Sequence, residues 1–205
     1  MLKVKKLLLI PLFSANISVF ANGITALDKF LSQKNFAANF TQQVITGNRA
    51  QTSQGTMQIE RPNKFRWQYS DNGQLILSDG IKVYIYDAPL KQVTIRDLGQ
   101  TLGKSPASLL SGSKKIKDDY KVTNSPDKKD GLQWVTLVPK QINENNGFQQ
   151  VLIAFDSKNQ LNQMQFIDNF GYISNLKFSG LQSPKKFTAD NFKFVVPKGV
   201  DVLEQ

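Results

Sequence analysis

The chain has 205 residues, of which 26 are Lys or Arg and 16 are Asp or Glu, and it contains neither cysteine nor histidine. The missing cysteines exclude disulfides, thiolate nucleophiles, thiolate metal sites and a lipidated cysteine anchor. The missing histidines remove the usual general base and the commonest metal ligand. The formal charge of +10 favours anionic partners. The basic residues are nevertheless spread along the chain, which argues against nucleic-acid binding.

The first 21 residues have the pattern of a secretory signal peptide. Three lysines precede an apolar stretch at 7–20, and Val19-Phe20-Ala21 suits signal peptidase. We therefore expect cleavage after Ala21, which leaves residues 22–205 as one exported domain of charge 10 − 3 = +7. An uncleaved membrane anchor is the weaker alternative, because Pro11 and Asn16 interrupt the apolar run.

The exported part opens with a predicted helix and continues as strands. Thr25-Ala26-Leu27-Asp28 resembles a capping box, and apolar residues at helical spacing predict a helix from about Ala26 to Gln33. Alternation from Phe36 to Val44 predicts a strand, although these residues also fit a longer helix. Further strands are predicted over 75–77, 82–86 and 92–95.

The stretch from Gly55 to Tyr69 consists of two alternating strands that are broken at Arg61-Pro62. Within each strand the apolar side chains share one face, namely Met57 and Ile59, and then Phe65, Trp67 and Tyr69. Proline has no N–H for a ladder, so Pro62 belongs at a strand start, an edge or a bulge. Arg61 is therefore predicted at a corner of a sheet that has one apolar and one polar face.

A second short helix and a second group of strands follow. Ser105-Pro106 is a good helix start, Leu109 and Leu110 are its apolar residues, and Gly112 suits its C′ position. Residues 114–119 are expected to form a charged connector. Strands are then predicted over 120–123, 132–138, 148–155, 160–168, 172–181 and 192–196.

About ten strands with short loops predict a mainly β (α+β) fold with one strongly curved antiparallel sheet. The helical pieces are too small to complete a sandwich. We therefore expect an unclosed antiparallel β-barrel with a lid of short α-helices. The many aromatic side chains in the strands are either plain core or the lining of a cavity for an apolar ligand. Composition alone favours the core.

Catalytic motifs are weak or absent. Ser111-Gly112-Ser113-Lys114 matches S-x-x-K, but no K-T-G is present and Gly112 should end the helix just after the serine. The sequence contains no Walker loop, dinucleotide fingerprint or metal-spaced cluster. We therefore expect no enzymatic activity, no cofactor and no metal. A hydrolase that uses serine and lysine remains the alternative.

Eight short segments together carry a resemblance: Phe36-x-Ala38-x-Phe40-x-Gln42, Gly55-x-Met57, Arg61-Pro62-x-x-Phe65-x-Trp67, Leu77-Ser78-Asp79-Gly80, Tyr84-x-Tyr86, Gln92-Val93, Pro106-x-x-Leu109-Leu110 and Phe192-x-Phe194-x-x-Pro197-x-Gly199-Val200. In this order they resemble the LolA family of outer-membrane lipoprotein carriers. The resemblance covers nearly the whole exported part. The Arg-Pro-x-x-Phe-x-Trp stretch followed by Ser-Asp-Gly is its most specific part.

The resemblance implies an unclosed barrel with a helical lid over an apolar cavity, which agrees with the fold predicted above. It also implies a monomeric periplasmic carrier. Such a carrier would take acylated lipoproteins from the inner-membrane ABC transporter LolCDE and pass them to the outer-membrane receptor LolB. That receptor shares the fold but has a lipidated N-terminal cysteine, so the absence of cysteine favours the carrier. The alternative is a periplasmic lipid-sensing or tail-sensing regulatory domain of the same fold.

The resemblance further implies roles for single residues. Arg61 would tie the lid to the barrel in the closed form, through backbone carbonyls near Phe30 and Leu110. Phe65 would lie at the rim and take part in cargo uptake. The acyl cavity and lid would be formed by Leu27, Phe30, Leu31, Phe40, Met57, Ile59, Trp67, Leu109 and Leu110. The central lid helix departs from the family, because it has the small residues Ala107 and Ser108 where bulkier apolar residues are frequent.

The signal-peptide prediction can be checked on the exported protein. When the full chain is expressed in a Gram-negative host, the mature protein should begin at Asn22 and be released by osmotic shock. Intact-mass spectrometry measures this directly. A membrane-bound protein that keeps Met1 would instead support the uncleaved anchor.

Overall fold

A computed structural model describes residues 22–101, 105–112, 116–125, 130–141 and 147–205. The predicted signal peptide, residues 1–21, lies outside the described residues. No helix in the described part combines the length and the apolar character needed to span a bilayer.

Within these residues the chain forms twelve strands, four α-helices and one 3₁₀ helix. The helices are α1 (Gly23–Ser32), α2 (Leu98–Thr101), α3 (Pro106–Ser111), α4 (Ile116–Asp119) and the 3₁₀ helix Ala189–Phe192. The strands are β1 (Asn35–Thr46), β2 (Arg49–Glu60), β3 (Lys64–Tyr69), β4 (Leu75–Asp79), β5 (Lys82–Asp87), β6 (Gln92–Asp97), β7 (Tyr120–Asn124), β8 (Gln133–Pro139), β9 (Phe148–Phe155), β10 (Leu161–Asp168), β11 (Ile173–Gln182) and β12 (Asp201–Glu204).

All twelve strands belong to one sheet with the order β12-β6-β5-β4-β3-β2-β1-β11-β10-β9-β8-β7. The long β1–β2 hairpin lies near its middle, and the pairing of β1 with β11 joins the two halves of the chain. β12 and β7 form the two edges and do not pair with each other, so the barrel is unclosed. The predicted mainly β fold with an open sheet and short helices is therefore confirmed.

The alternation of side chains places one apolar face of the sheet under α1 and α3, and we call it the inner face. Met57 lies opposite Trp67 in the ladder and Ile59 lies opposite Phe65, so these four side chains share that face. The interior cluster consists mainly of the buried apolar residues of α1, α3 and the inner faces of β1–β3 and β8–β11, with one member each from α2, α4, β5 and β7. Its aromatic members include Phe30, Phe40, Trp67, Phe155 and Phe178.

Gly55 allows close packing at the centre of the β1–β3 region. In the ladder it lies opposite Phe40 on β1 and Tyr69 on β3. A Cβ at this position would collide with the carbonyl oxygen of Gln68 and lie 2.8 Å from the Phe40 ring. The same ring stacks on Trp67 with a centroid separation of 4.4 Å. The backbone of β3 and the Phe40 ring therefore require glycine here.

Residues 183–200, which we call the C-terminal strap, cover part of the outer face of the sheet. Leu75 and Leu77 are buried on that face, because they lie opposite the outward-facing Gln68 and Arg66 of β3. The 3₁₀ helix of the strap contacts β3 and β4. Phe194 of the strap stacks on Tyr84 with a centroid separation of 5.2 Å. The sheet thus has a second, smaller apolar layer on its outer side.

The start of α1 differs from the prediction. The helix begins at Gly23, because the Oδ1 atom of Asn22 accepts a hydrogen bond from the Ile24 N–H at 3.0 Å. The capping box predicted at Thr25 is therefore wrong. The alternative of a longer helix over 36–44 is also wrong, because β1 pairs with β2 and β11 along most of its length.

The C-terminal prediction is wrong in two respects. The strand predicted over 192–196 is absent, since Phe192 ends the 3₁₀ helix and the following residues form no strand. Phe192 and Phe194 alternate because they pack against the outer face of the sheet. The last strand is instead β12, which runs parallel to β6, so the sheet is not wholly antiparallel. The predicted connector also contains the helical turn α4.

The requirement for glycine at position 55 can be tested by unfolding. Gly55→Ala should lower the free energy of unfolding by about 1–3 kcal/mol, because the new methyl group meets backbone and a packed ring. Gly99→Ala is the matched control, since a Cβ there meets nothing within 4 Å. Urea unfolding followed by tryptophan fluorescence measures both variants. Equal midpoints for the two variants would show that β3 simply moves aside.

Candidate functional site

The nine residues predicted to form the cavity and lid all lie in the interior cluster. Each of them is at most 6% exposed. Leu27, Phe30 and Leu31 come from α1, Leu109 and Leu110 come from α3, and the rest come from β1–β3. The structure therefore brings the predicted lid and the predicted lining into one packed unit with the lid closed.

The two main lid helices cover different parts of the inner face. α1 packs against β7, β8 and β9, whereas α3 packs against β2 and β3. The Phe30 ring of α1 meets Phe36 edge to face at a centroid distance of 5.1 Å and lies 6.0 Å from Phe155. Aromatic contacts of this geometry stabilise beyond the area that they bury. Phe30 is thus the main anchor of α1.

The predicted start of α3 is confirmed at Ser105 and Pro106. The Oγ atom of Ser105 accepts from the Ser108 N–H at 3.1 Å, and the Ser108 hydroxyl donates back to the Ser105 carbonyl at 2.9 Å. Ala107 and Ser108 are both buried. Because the Ser108 hydroxyl is hydrogen-bonded within its own turn, burying it costs little. Gly112 follows the helix with φ −59°, so it is not the left-handed residue that a C′ glycine supplies.

The surroundings of Ser111 indicate a structural role for this residue. It is fully buried, its hydroxyl donates to the Ser108 carbonyl at 3.1 Å, and its own carbonyl accepts from the Asn63 N–H. An inaccessible hydroxyl that is already hydrogen-bonded does not suit a nucleophile. Lys114 of the S-x-x-K match lies outside the described residues. Across the described ranges, no group of three or more acidic side chains could hold a metal ion.

Arg61 lies in the turn between β2 and β3, which we call the Arg61–Asn63 turn. Its Nη1 atom donates to the carbonyl oxygen of Gln33 at 2.6 Å, and Gln33 caps the C-terminus of α1. The guanidinium carbon lies 4.5 Å from the centroid of the Phe30 ring, which is a cation–π distance. The Arg61 N–H also donates to the Lys34 carbonyl at 2.8 Å. Arg61 therefore joins the sheet to α1.

The same turn also joins the sheet to α3, but through a different group. The backbone N–H of Asn63 donates to the Ser111 carbonyl at 2.9 Å. The family resemblance implied that the Arg61 side chain contacts carbonyls near both helices, and neither Gln33 nor Asn63 was predicted as a participant. Asn63 has φ 69°, and asparagine after Arg-Pro is a recognisable turn signal, so its position could have been inferred. Its backbone partner, the Ser111 carbonyl, could not be inferred from the sequence.

The charge of Arg61 is poorly compensated in the closed form. The residue is 7% exposed, and burial lowers the pKa of Arg61 to about 10, which leaves it protonated at neutral pH. Its Nε and Nη2 atoms are buried and have no hydrogen-bond partner within the part of the chain that the structure describes. Nor does any described carboxylate form an ion pair with it. This uncompensated charge offsets part of the stabilisation that the Gln33 hydrogen bond and the Phe30 ring contact give to the closed form.

Two weaker contacts also hold α1. The Asp28 carboxylate forms an ion pair with Lys117 of α4 at 2.7 Å, and both side chains are about half exposed. The Oδ1 atom of Asn124 on β7 accepts from the Ile24 N–H at 3.1 Å. An exposed ion pair of this kind stabilises by less than about 1 kcal/mol. The packing of the Phe30 ring and the contacts of the Arg61–Asn63 turn therefore contribute more to the attachment of α1 than these two polar contacts do.

Phe65 does not lie at an open rim in this structure. It is 1% exposed and belongs to the interior cluster, opposite Ile59 on β2 and Ser78 on β4. The reason is its position on β3, the strand against which α3 packs. Any contact between Phe65 and a partner therefore requires that α3 first move away.

Together these features define a class of protein, an open barrel whose apolar interior is closed by short helices attached at one turn. The chain belongs to the LolA family, because the family described as "Outer membrane lipoprotein carrier protein LolA" matches residues 32–195. One similar relative is the outer-membrane lipoprotein carrier protein of Methylobacillus flagellatus, 38% identical, with 91% of each chain covered. Another is that of Cupriavidus necator, 37% identical, with 96% of this chain and 94% of the relative covered.

Solved structures support the fold. A conserved protein from Thermus thermophilus, described as uncharacterized, has a TM-score of 0.53 and 13% identity, with 89% of this chain and 97% of that chain covered. A DUF1329 family protein from Desulfovibrio piger has a TM-score of 0.50 and 11% identity, with 83% of this chain and 94% of that chain covered. At such low identity these structures show a shared architecture only.

The unequal contributions to the attachment of α1 can be measured. Phe30→Ala should lower the free energy of unfolding by about 3–5 kcal/mol, because it removes a fully packed ring. Asp28→Ala on the same helix should cost less than about 1 kcal/mol. Urea unfolding gives both values, and hydrogen exchange in α1 shows whether loss of the ring opens the helix locally. Similar costs for the two variants would contradict the assignment of Phe30 as the anchor.

Proposed function

We propose that this chain is a periplasmic carrier of lipoproteins. It binds the acyl chains of outer-membrane-directed lipoproteins that leave the inner membrane and delivers them to the outer-membrane receptor. LolCDE is the proposed donor and LolB the proposed acceptor. The proposal includes cleavage of residues 1–21 and action as a monomer without catalysis. The observation that carries it is the interior cluster, in which short helices and a sheet bury apolar side chains against each other.

The energetics of acyl burial explain why a lid is needed. Burial stabilises by about 0.8 kcal/mol per methylene, so a chain of about 15 methylenes gives on the order of 12 kcal/mol. Several such chains would exceed the practical limit of about 20 kcal/mol for non-covalent binding. Release to a receptor would then be too slow. The empty carrier must therefore lose favourable contacts whenever it takes up cargo.

The contacts of the closed lid supply the free energy that must be lost when cargo binds. Opening it separates Phe30 from Phe36 and Phe155 and breaks the hydrogen bonds of the Arg61–Asn63 turn to α1 and α3. A hydrogen bond from a charged donor contributes about 1.5–3 kcal/mol. In this proposal Arg61 is the latch of the closed form. The nine cavity and lid residues then exchange contacts with one another for contacts with acyl chains.

Phe65 has a proposed role in the same step. It lies two residues beyond Asn63, whose N–H is bonded to the end of α3. When α3 moves away, the Phe65 ring becomes one of the first parts of the interior cluster to be exposed. We propose that cargo meets it there during uptake from the transporter.

The latch can be tested by comparing two arginines on neighbouring segments. Arg61→Leu should still take up lipoprotein from spheroplasts, but transfer to receptor-containing membranes should slow, because the closed empty state is less favoured. Cargo affinity should rise about tenfold for each 1.4 kcal/mol lost from the closed state. Arg66→Leu is the matched control, because Arg66 lies on β3 facing outward and hydrogen-bonds Gln68.

Uptake and transfer are measured in sequence on the same lipoprotein. Normal transfer by Arg61→Leu would mean that Arg61 is not the latch. Failure of the parent protein to release any acylated lipoprotein, or equal binding of an unacylated form, would refute the carrier function itself.

A further inference from the structure

Arg61 is the single charged residue among the buried residues that the structure describes. The other basic and acidic side chains of those ranges are at least partly exposed. Arg61 also lies against Phe30, a member of the interior cluster. An apolar interior with one cation at its boundary is therefore a property of this chain.

The guanidinium has an unused pair of donors. Nη1 is bonded to the Gln33 carbonyl, whereas Nε and Nη2 are buried and lack partners in the described ranges. Nε–H and Nη2–H point in parallel from one side of the planar group, which is the geometry that binds the two oxygens of a carboxylate. The donor pair is thus arranged for an oxyanion.

We propose that Arg61 binds the headgroup of a single-chain carboxylate amphiphile, a long-chain fatty acid anion, whose hydrocarbon chain enters the interior. This inference rests on the proposed acyl cavity, and it adds a ligand class that differs from the lipoprotein cargo. The bound carboxylate takes up the Nε and Nη2 donors. The chain occupies the space that α1 leaves when the lid opens.

The position of Arg61 on the sheet makes this arrangement consistent with lid opening. Arg61 belongs to the Arg61–Asn63 turn, whereas Gln33 and Phe30 belong to α1 and its cap. When α1 moves away, Arg61 remains at the boundary of the interior and loses its Gln33 partner. A carboxylate bound to Nε and Nη2 then supplies the missing anion. The ligand therefore relieves the uncompensated charge that the closed form buries.

The test compares two probes that differ only in their headgroup, oleate and oleyl alcohol, at concentrations below micelle formation. Titration calorimetry of the mature protein should show oleate binding at least about tenfold more tightly than oleyl alcohol, since a bidentate charged hydrogen bond is added. In Arg61→Leu this ratio should fall close to one. Arg66→Leu should keep the parent ratio, because Arg66 is also an arginine but faces outward.

The ratio separates this inference from the proposed function. If both probes bind the parent equally, the cavity stands and the carboxylate site is wrong. If the preference for oleate persists in Arg61→Leu, the headgroup is bound elsewhere and the inference is likewise wrong. If neither probe binds, the acyl cavity fails and the inference fails with it. Because the first comparison uses the unmodified protein, it does not depend on the folding of any variant.

Discussion

An open sheet with an apolar inner face must have that face covered, and most of this structure follows from that requirement. The edge strands β7 and β12 do not meet, so the ladder does not seal the interior as it would in a closed barrel. α1 and α3 provide the cover, yet helices of 10 and 6 residues are unstable alone in water. The sheet therefore stabilises the helices, and the helices in turn shield the apolar face of the sheet from water.

The Arg61–Asn63 turn holds this cover by contacts of limited strength. A buried ion pair at this place would break only at great cost, because it would leave one charge unpaired. Arg61 instead bonds a neutral carbonyl and an aromatic ring, and its charge is already uncompensated when the lid is closed. Opening the lid returns that charge to water. In the proposed function, the closed form is thus stable enough to cover the interior and weak enough to open for an acyl chain.

Local patterns in the sequence predicted the parts of the fold that depend on local physics. Alternation assigned the strands around Gly55–Tyr69 and their inner faces, and Ser105-Pro106 marked the start of α3. The remaining features depend on contacts between distant segments. Phe194 alternates like a strand residue but packs on the outer face, and the partners of the Arg61–Asn63 turn are backbone carbonyls, which leave no side-chain signature.

The position of the C-terminal strap has a consequence for the order in which parts of the fold are completed. Leu75 and Leu77 stay uncovered on the outer face until the strap arrives, and β6 remains an unprotected edge until β12 pairs with it. The hydrogen bond between Arg96 and Gln205 joins two residues that are 109 positions apart in the sequence. Contacts of such high sequence separation form slowly. The outer apolar layer and the β6 edge are therefore expected to be completed after the β1–β5 hairpins, whose contacts are local.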